Sequence, residues 1–228
     1  MPLVRSAILM ALIAVPASAA DVPAEKVAAV LPELEKYAET LREKTGVPGI
    51  AIAVVHGDKV AYLKGLGVRE LGKPETVDAD TVFQLASVSK SVTATVLAGV
   101  DGDGKVTWDT KISRIDPGFR LANDYVTGEI TIRDLLCHRS GLPDHAGDLI
   151  EDLGYDAPEV LHRLRHQKLT GQFRGSYAYT NFGFSEAAYA AAKVVDKAWA
   201  DLAAERLFIP LGMKHSSYKH SDYAAATN

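Results

Sequence analysis

The sequence predicts an α+β chain in which one long helix and a β-hairpin are followed by a mostly helical region. Three observations predict it. Apolar residues recur at helical spacing from Val22 to Thr45, two β-rich runs flank a short turn at Gly57-Asp58, and helical spacing dominates from Thr81 onward. In the first helix Val27, Val30, Leu31, Leu34, Tyr37 and Leu41 supply the apolar stripe, and Gly46 and Pro48 end it. The hairpin pairs Ile50–Val55 with Val60–Leu63, and Gly65 and Gly67 close it.

Ser89 to Val100 then forms a strong apolar helix, terminated by Asp101-Gly102-Asp103-Gly104. That acidic loop does not match a calcium site, because Lys105 stands where a third oxygen ligand belongs. A helix-ending loop is the expectation. Further helices are expected from Thr131 to Leu136, Val160 to Gln167, Phe184 to Val195 and Trp199 to Phe208. His162 and His166, four apart on the second of these, have metal-ligand spacing, and a metal-dependent hydrolase would rest on them alone. No third ligand is recognisable nearby, so a solvated face is expected and no metal or cofactor is assigned.

A chain of 228 residues, 47% hydrophobic and with a net charge of −4, has room for one large domain or two small ones. No run of Lys and Arg marks a nucleic-acid footprint. Residues 1–20 read as a cleaved secretory signal: Arg5, an apolar stretch from Ala7 to Val15, Pro16, then the small residues Ala17-Ser18-Ala19. The apolar stretch is shorter than the roughly 20 residues a membrane-spanning helix needs, and no cysteine follows it to carry a lipid. A periplasmic or secreted protein without a membrane anchor after cleavage is therefore expected. Cys137, the only cysteine, excludes an internal disulfide, and in the run Leu135-Leu136-Cys137 it reads as a buried small hydrophobe. The organisation is then 1–20 signal peptide, 21–80 helix and hairpin, and 81–228 helical region.

Ser87-Val88-Ser89-Lys90 places an amine one helical turn from a hydroxyl, on the same face. A partly desolvated lysine can take a serine proton, and backbone N–H groups at a helix start favour a developing oxyanion. The motif alone is weak, since Ser216-Ser217-Tyr218-Lys219 matches it too, but only the first copy leads into a long apolar helix.

The company of the first copy is more specific. Phe83 to Ala94 resembles the nucleophile helix of the serine β-lactamase and D-alanyl-D-alanine peptidase superfamily, in particular its class C-like branch of esterases and peptidases. Leu135-Leu136-Cys137-His138-Arg139-Ser140-Gly141-Leu142-Pro143 is similar to that branch's "LLTHTSGLP" segment, Tyr179-Thr180-Asn181 to its Tyr-x-Asn motif, and Pro210-Leu211-Gly212-Met213 to a further recurring segment. The resemblance implies a β-lactamase/transpeptidase-like fold and a serine hydrolase acting on a β-lactam, a D-amino-acid peptide or a small ester. It implies Ser87 as the acylated nucleophile and Lys90 as acceptor of its proton or tuner of its neighbour. It also implies Tyr179 as a base, Asn181 as a hydrogen-bonding partner of the substrate, and a structural His138.

Two departures stand out. Phe173 and Arg174 stand near the place where relatives carry Pro-Gly. The family's third motif, Lys-Thr-Gly or His-x-Gly, does not occur between Tyr179 and Asn228. In the family that motif lies on a strand supplying one oxyanion donor, whose loss costs roughly 10²–10³ in rate. The expectation is an amino-terminal portion of a longer enzyme, with the C-terminal strands of its sheet missing. Its partners would be a small-molecule or peptide substrate, with self-association or completion by a second chain. The alternative is a relative of little or no activity that binds peptidoglycan fragments or a partner protein.

Overall fold

The structure, a computed structural model, describes residues 22–226. The leader pattern of residues 1–20 lies outside the described residues. The chain divides into two compact units, Met1–Thr81 and Val82–Asn228.

In the first unit, α1 (Ala24–Thr45) ends on Gly46, whose φ of 71° is the left-handed cap that a residue without Cβ adopts most readily. β1 (Gly49–His56) and β2 (Lys59–Gly67) pair antiparallel, Gly49 opposite Gly67 and His56 opposite Lys59. Gly67 is required at its place, because a Cβ there would lie 2.1 Å from the Pro48 carbonyl oxygen. α1 lies against the hairpin, and Glu35 ties the two together by accepting from Tyr62 Oη at 2.9 Å and pairing with Lys64.

The expected stripe on α1 is only partly covered. Val27, Leu31, Leu34 and Ala38 form its sheltered line, while Val30, Tyr37 and Leu41 on one flank are exposed. Two strands about 4.8 Å apart make a ribbon narrower than the stripe. Among the described residues the sheet has these two strands, and its other face leaves the cross-strand pairs Ala53–Leu63 and Val55–Val60 exposed.

The regular structure of the second unit is mostly helical. A 3₁₀ turn (Ala86–Val88) leads into α2 (Ser89–Gly102), followed by α3 (Ile112–Ile115), α4 (Asp124–Glu129), α5 (Ile132–Leu136), α6 (Asp148–Asp152) and α7 (Ala157–Arg163). Then come α8 (Asn181–Val194), α9 (Trp199–Ala203) running into a π-helical turn, and α10 (His220–Ala225). Local chemistry sets the starts: Asn123 caps α4, Thr131 and Asp134 form a capping box on α5, and Asp156 caps α7 ahead of Pro158.

α8 is the central element, packed against α2, α3, α5, α7 and α9. Being walled in on most sides, it is built from small residues, with Ala187, Ala188, Ala190, Ala191 and Ala192 buried. A Cβ on Gly183 would come within 2.5 Å of Thr180 Oγ1. Leu97, Ile112, Ile130, Leu135, Leu142 and Leu164 fill the space around it.

The second Ser-x-x-Lys match is a brace. Tyr218 stacks on Phe208 and donates to the Ser89 carbonyl at 2.9 Å, with Thr93 Oγ1 at 2.8 Å, while Lys219 pairs with Asp201. The acidic loop after α2 is held by an ion pair between Asp103 and Arg206 at 2.6 Å. The helix expected over Val160–Gln167 starts earlier and ends at Arg163, passing into a 3₁₀ turn (Leu164–His166). His162 and His166 are therefore not on one α-helical face, and both are exposed. Cys137 is exposed too, contrary to the sequence expectation. It stands one residue past α5 on the side of exposed Arg133, four residues earlier, whereas Ile132 and Leu135 turn inward.

One acidic side chain interrupts the apolar surface of α8. Glu186 is 1% exposed, its Oε1 lacks a hydrogen-bond partner, and it lies beside Asp116, which pairs with Lys193. Burial first, and then the neighbouring Asp116 charge, pushes the Glu186 carboxyl up to about 9. Its folded pKa being raised, its contribution to stability is complete below the unfolded value near 4.5 and is lost as pH rises toward 9. The slope is at most about 1.4 kcal/mol per pH unit. Glu186→Gln keeps the shape of the neutral acid, so denaturant unfolding should show the variant level with the parent at pH 5 and more stable at pH 8.5. Parallel curves for the two proteins would refute this account.

Candidate active site

The 3₁₀ turn presents Ser87 at the surface, just ahead of α2. It is closed by Val88 N–H donating to the Leu85 carbonyl at 3.1 Å. Ala86 adopts a left-handed φ of 46°, an unfavourable conformation for a residue with a Cβ and one that recurs at functional turns. Lys90 follows in the first turn of α2 and points back. Its Nζ lies 3.3 Å from Ser87 Oγ and 2.7 Å from Asn181 Oδ1, and 4.6 Å from the centre of the Tyr179 ring.

Tyr179 and Asn181 come from the extended stretch that enters α8, Thr180 having φ −134° and ψ 120°. Tyr179 Oη is 2.5 Å from Ser87 Oγ. Hydrogen bonding from Lys90, then from Ser87, favours the phenolate and holds the Tyr179 phenol below its ordinary value of 10. The structure thus brings Ser87, Lys90, Tyr179 and Asn181 into one hydrogen-bonded group, across a separation of about ninety residues.

The surroundings of the Tyr179–Asn181 stretch are equally specific. His138, buried, accepts the Thr180 N–H through Nδ1 at 3.1 Å, and its ring lies 4.5 Å from that of Tyr179. Burial, then the Lys90 charge, lowers the His138 pKa, so the ring is neutral and its remaining proton sits on Nε2. Asp144 Oδ1 accepts the Tyr179 N–H at 2.7 Å, and the His145 N–H donates to the Tyr179 carbonyl at 2.7 Å. Asp148 Oδ2 accepts from Asn181 Nδ2 at 2.9 Å and lies 2.8 Å from His145 Nδ1. The hydrogen bond to Asp148 is the first cause of a raised His145 pKa. Sequence reasoning missed Asp144, His145 and Asp148. The signal available was an Asp-His-x-x-Asp run directly after Gly141-Leu142-Pro143.

The departure at Phe173-Arg174 has a local explanation. Arg174 takes a left-handed φ of 61°, which a glycine would adopt at less cost. In return its guanidinium reaches Asp134, with Nη2 to Oδ2 at 2.9 Å, and its N–H donates to the Arg139 carbonyl at 2.9 Å. Asp134, 0% exposed, also accepts from Arg139 Nε at 2.7 Å and Thr131 Oγ1 at 2.8 Å. The loop leading to Tyr179 is thereby fastened to the start of α5.

A strained turn holding a serine, a lysine one turn on, and a tyrosine–asparagine pair at the start of a buried helix form one candidate site around Ser87. The Beta-lactamase family model matches residues 34–228, and the chain belongs to that family. Among its relatives is the Unguisins hydrolase ungD' of Aspergillus campestris, 31% identical over 205 residues that span 85% of this chain and 38% of the relative. Penicillin-binding protein 4* of Bacillus subtilis is 29% identical over 191 residues, 80% of this chain and 40% of the relative. Among solved structures, the octameric penicillin-binding protein homologue from Pyrococcus abyssi superposes with a TM-score of 0.72 at 21% identity, covering 86% of this chain and 46% of that one. The chain therefore has the β-lactamase/transpeptidase-like fold and spans less than half the length of each of these three relatives. Among the described residues no group of three or more His, Cys, Asp or Glu side chains is arranged to hold a metal, and no helix is long and apolar enough to cross a membrane.

Proposed function

We propose that the chain carries the nucleophile and the base of a serine hydrolase that forms an acyl-enzyme on Ser87, acting on a β-lactam, a D-amino-acid peptide or a small ester. The observation that carries this reading is Ser87 Oγ at 2.5 Å from Tyr179 Oη with Lys90 Nζ beside both. Tyr179, as phenolate, takes the Ser87 proton while Oγ forms a bond to the substrate carbonyl carbon. The Tyr179 proton then passes to the leaving nitrogen or oxygen as its bond to that carbon breaks. Lys90 stays an ammonium and holds the phenolate, and Asn181 holds Lys90. One N–H of Asn181 Nδ2 remains for the substrate, since the amide has two and Asp148 takes one. Water, deprotonated by Tyr179, then bonds to the acyl carbon as the bond from that carbon to Oγ breaks, and Tyr179 passes its proton to Ser87. Relatives named as a hydrolase and as a penicillin-binding protein support this class of substrate. The leader pattern of residues 1–20 supports a periplasmic or secreted site of action.

The test is the intact mass of the purified chain after exposure to a fluorophosphonate, beside a Ser87→Ala control. A single adduct in the parent and none in the control is expected. A folded parent that gains no adduct removes the enzyme reading and leaves a binding module.

A further inference from the structure

Two residues of the candidate site, Tyr179 and Asn181, are held by one five-residue segment. Asp144 receives the Tyr179 N–H, the His145 N–H meets the Tyr179 carbonyl, and Asp148 receives the Asn181 side-chain amide. The segment takes the path this needs through two left-handed residues, His145 at φ 56° and Gly147 at φ 100°. Gly147 is tightly enclosed, since a Cβ there would lie 2.7 Å from Phe182 and 2.8 Å from Val160. The segment is thus seated on the core, and its contacts reach 33 and 35 residues along the chain.

The geometry points to Asp148, steadied by His145, as a positioning residue that fixes the Asn181 amide so that its oxygen faces Lys90. An amide has a donor end and an acceptor end of nearly equal shape, and only its partners decide which way it turns. An ammonium donates and cannot accept, so Lys90 needs the oxygen. A carboxylate accepts and cannot donate, so Asp148 needs the nitrogen. With both present, the orientation is set from both sides: Lys90 Nζ to Oδ1 at 2.7 Å and Nδ2 to Asp148 Oδ2 at 2.9 Å. Without Asp148 the amide loses its second anchor, and Lys90 loses a fixed rest 3.3 Å from Ser87 Oγ. His145 Nδ1, 2.8 Å from the same Oδ2, limits rotation of the carboxylate. The inference rests on the proposed function for its kinetic consequence but not for the contact itself.

Both parts are measurable on the full chain. With a fluorophosphonate, Asp148→Ala should lower the maximal labelling rate of Ser87 roughly 10- to 100-fold, the scale of a misplacement of about 1 Å, with the inhibitor's half-saturating concentration unchanged. Asp148→Asn, which retains an acceptor oxygen, should recover most of the loss. In an Asn181→Ala background, Asp148→Ala should cost nothing further, because the effect passes through Asn181. Independently of activity, the ¹⁵N-labelled side-chain amide of Asn181, assigned by its absence in Asn181→Ala, should shift toward the free-amide position in Asp148→Ala and stay in place in Asp148→Asn. An unmoved amide signal overturns the inference, as does an equal labelling loss in the presence and absence of Asn181. If the parent does not label at all, the hydrolase reading fails, and the amide signals alone decide the role of Asp148.

Discussion

Replacing Lys90 by alanine is expected to slow acylation of Ser87 by roughly 10²–10⁴-fold, the range of a positioned acid–base group, and to move the rising limb of the pH–rate profile to higher pH. The two effects have one origin. Lys90 is the first cause of the depressed Tyr179 phenol, and Ser87 the second. Removing the ammonium lets the phenol return toward its ordinary value of 10, so less of it is ionised at neutral pH. A base that must be deprotonated then acts only in more alkaline solution. The same substitution leaves Asn181 Oδ1 without the donor it now has at 2.7 Å. Labelling rates with a fluorophosphonate between pH 6 and 10 check the point, with Tyr179→Phe as the variant in which the rising limb disappears. A loss below tenfold in Lys90→Ala, or a limb that stays where it was, would mean that Tyr179 is not the base Lys90 supports.

The largest effect on stability is expected at Asp134. Its carboxylate lies fully inside the fold and gathers the Thr131 backbone and hydroxyl, Arg139 and Arg174. Burial alone would raise its pKa, but the hydrogen bonds from Arg174, Thr131 and Arg139 outweigh it and hold the carboxyl below the usual range. Asp134→Ala removes one member of a buried ion cluster together with the carboxylate half of the capping box on α5. A cost of about 3 kcal/mol follows, at the lower end for such pairs because Arg139 and Arg174 are 36% and 41% exposed and regain water. With the folded pKa depressed, this contribution is present above the unfolded value near 3.8 and is lost as pH falls through the folded one. Urea unfolding should therefore show the gap between parent and Asp134→Ala constant from pH 5 to 7 and narrowing below about pH 4. A variant within 1 kcal/mol of the parent at pH 7 would show that the Arg174 loop is held by other contacts.

What could be read from the sequence follows the range of the interaction. Ser87 and Lys90 are three residues apart, so helical geometry alone puts their side chains on one face. Thr131 and Asp134 lie within one turn, and the capping box they form is equally local. Tyr179 and Asn181 were legible only through resemblance, because nothing local says that a tyrosine 92 residues on will meet Ser87. Asp144, His145 and Asp148 escaped for a related reason. Their reach to Tyr179 and Asn181 depends on a loop path set by left-handed residues, one of them a histidine that no turn rule demands. Arg174 is the converse case: the missing Pro-Gly was visible, but the buried Asp134 that repays its strained backbone was not. On α1 the periodicity was correctly helical, yet periodicity measures the width of an apolar stripe and not the width of what covers it. Val30, Tyr37 and Leu41 are left in the open for that reason.

Asn181 opens α8, and most of the residues after it are enclosed by five other helices. No hinge separates the functional amide from the centre of the unit. Tolerance to substitution in this chain is therefore expected to be uneven around the site. Substitutions along α8 act on packing and stability before they act on the site. Leu149, exposed beside the segment that holds Tyr179 and Asn181, is under no such packing constraint. Redesign of the site therefore starts from exposed rim positions and leaves the alanine helix as the fixed frame.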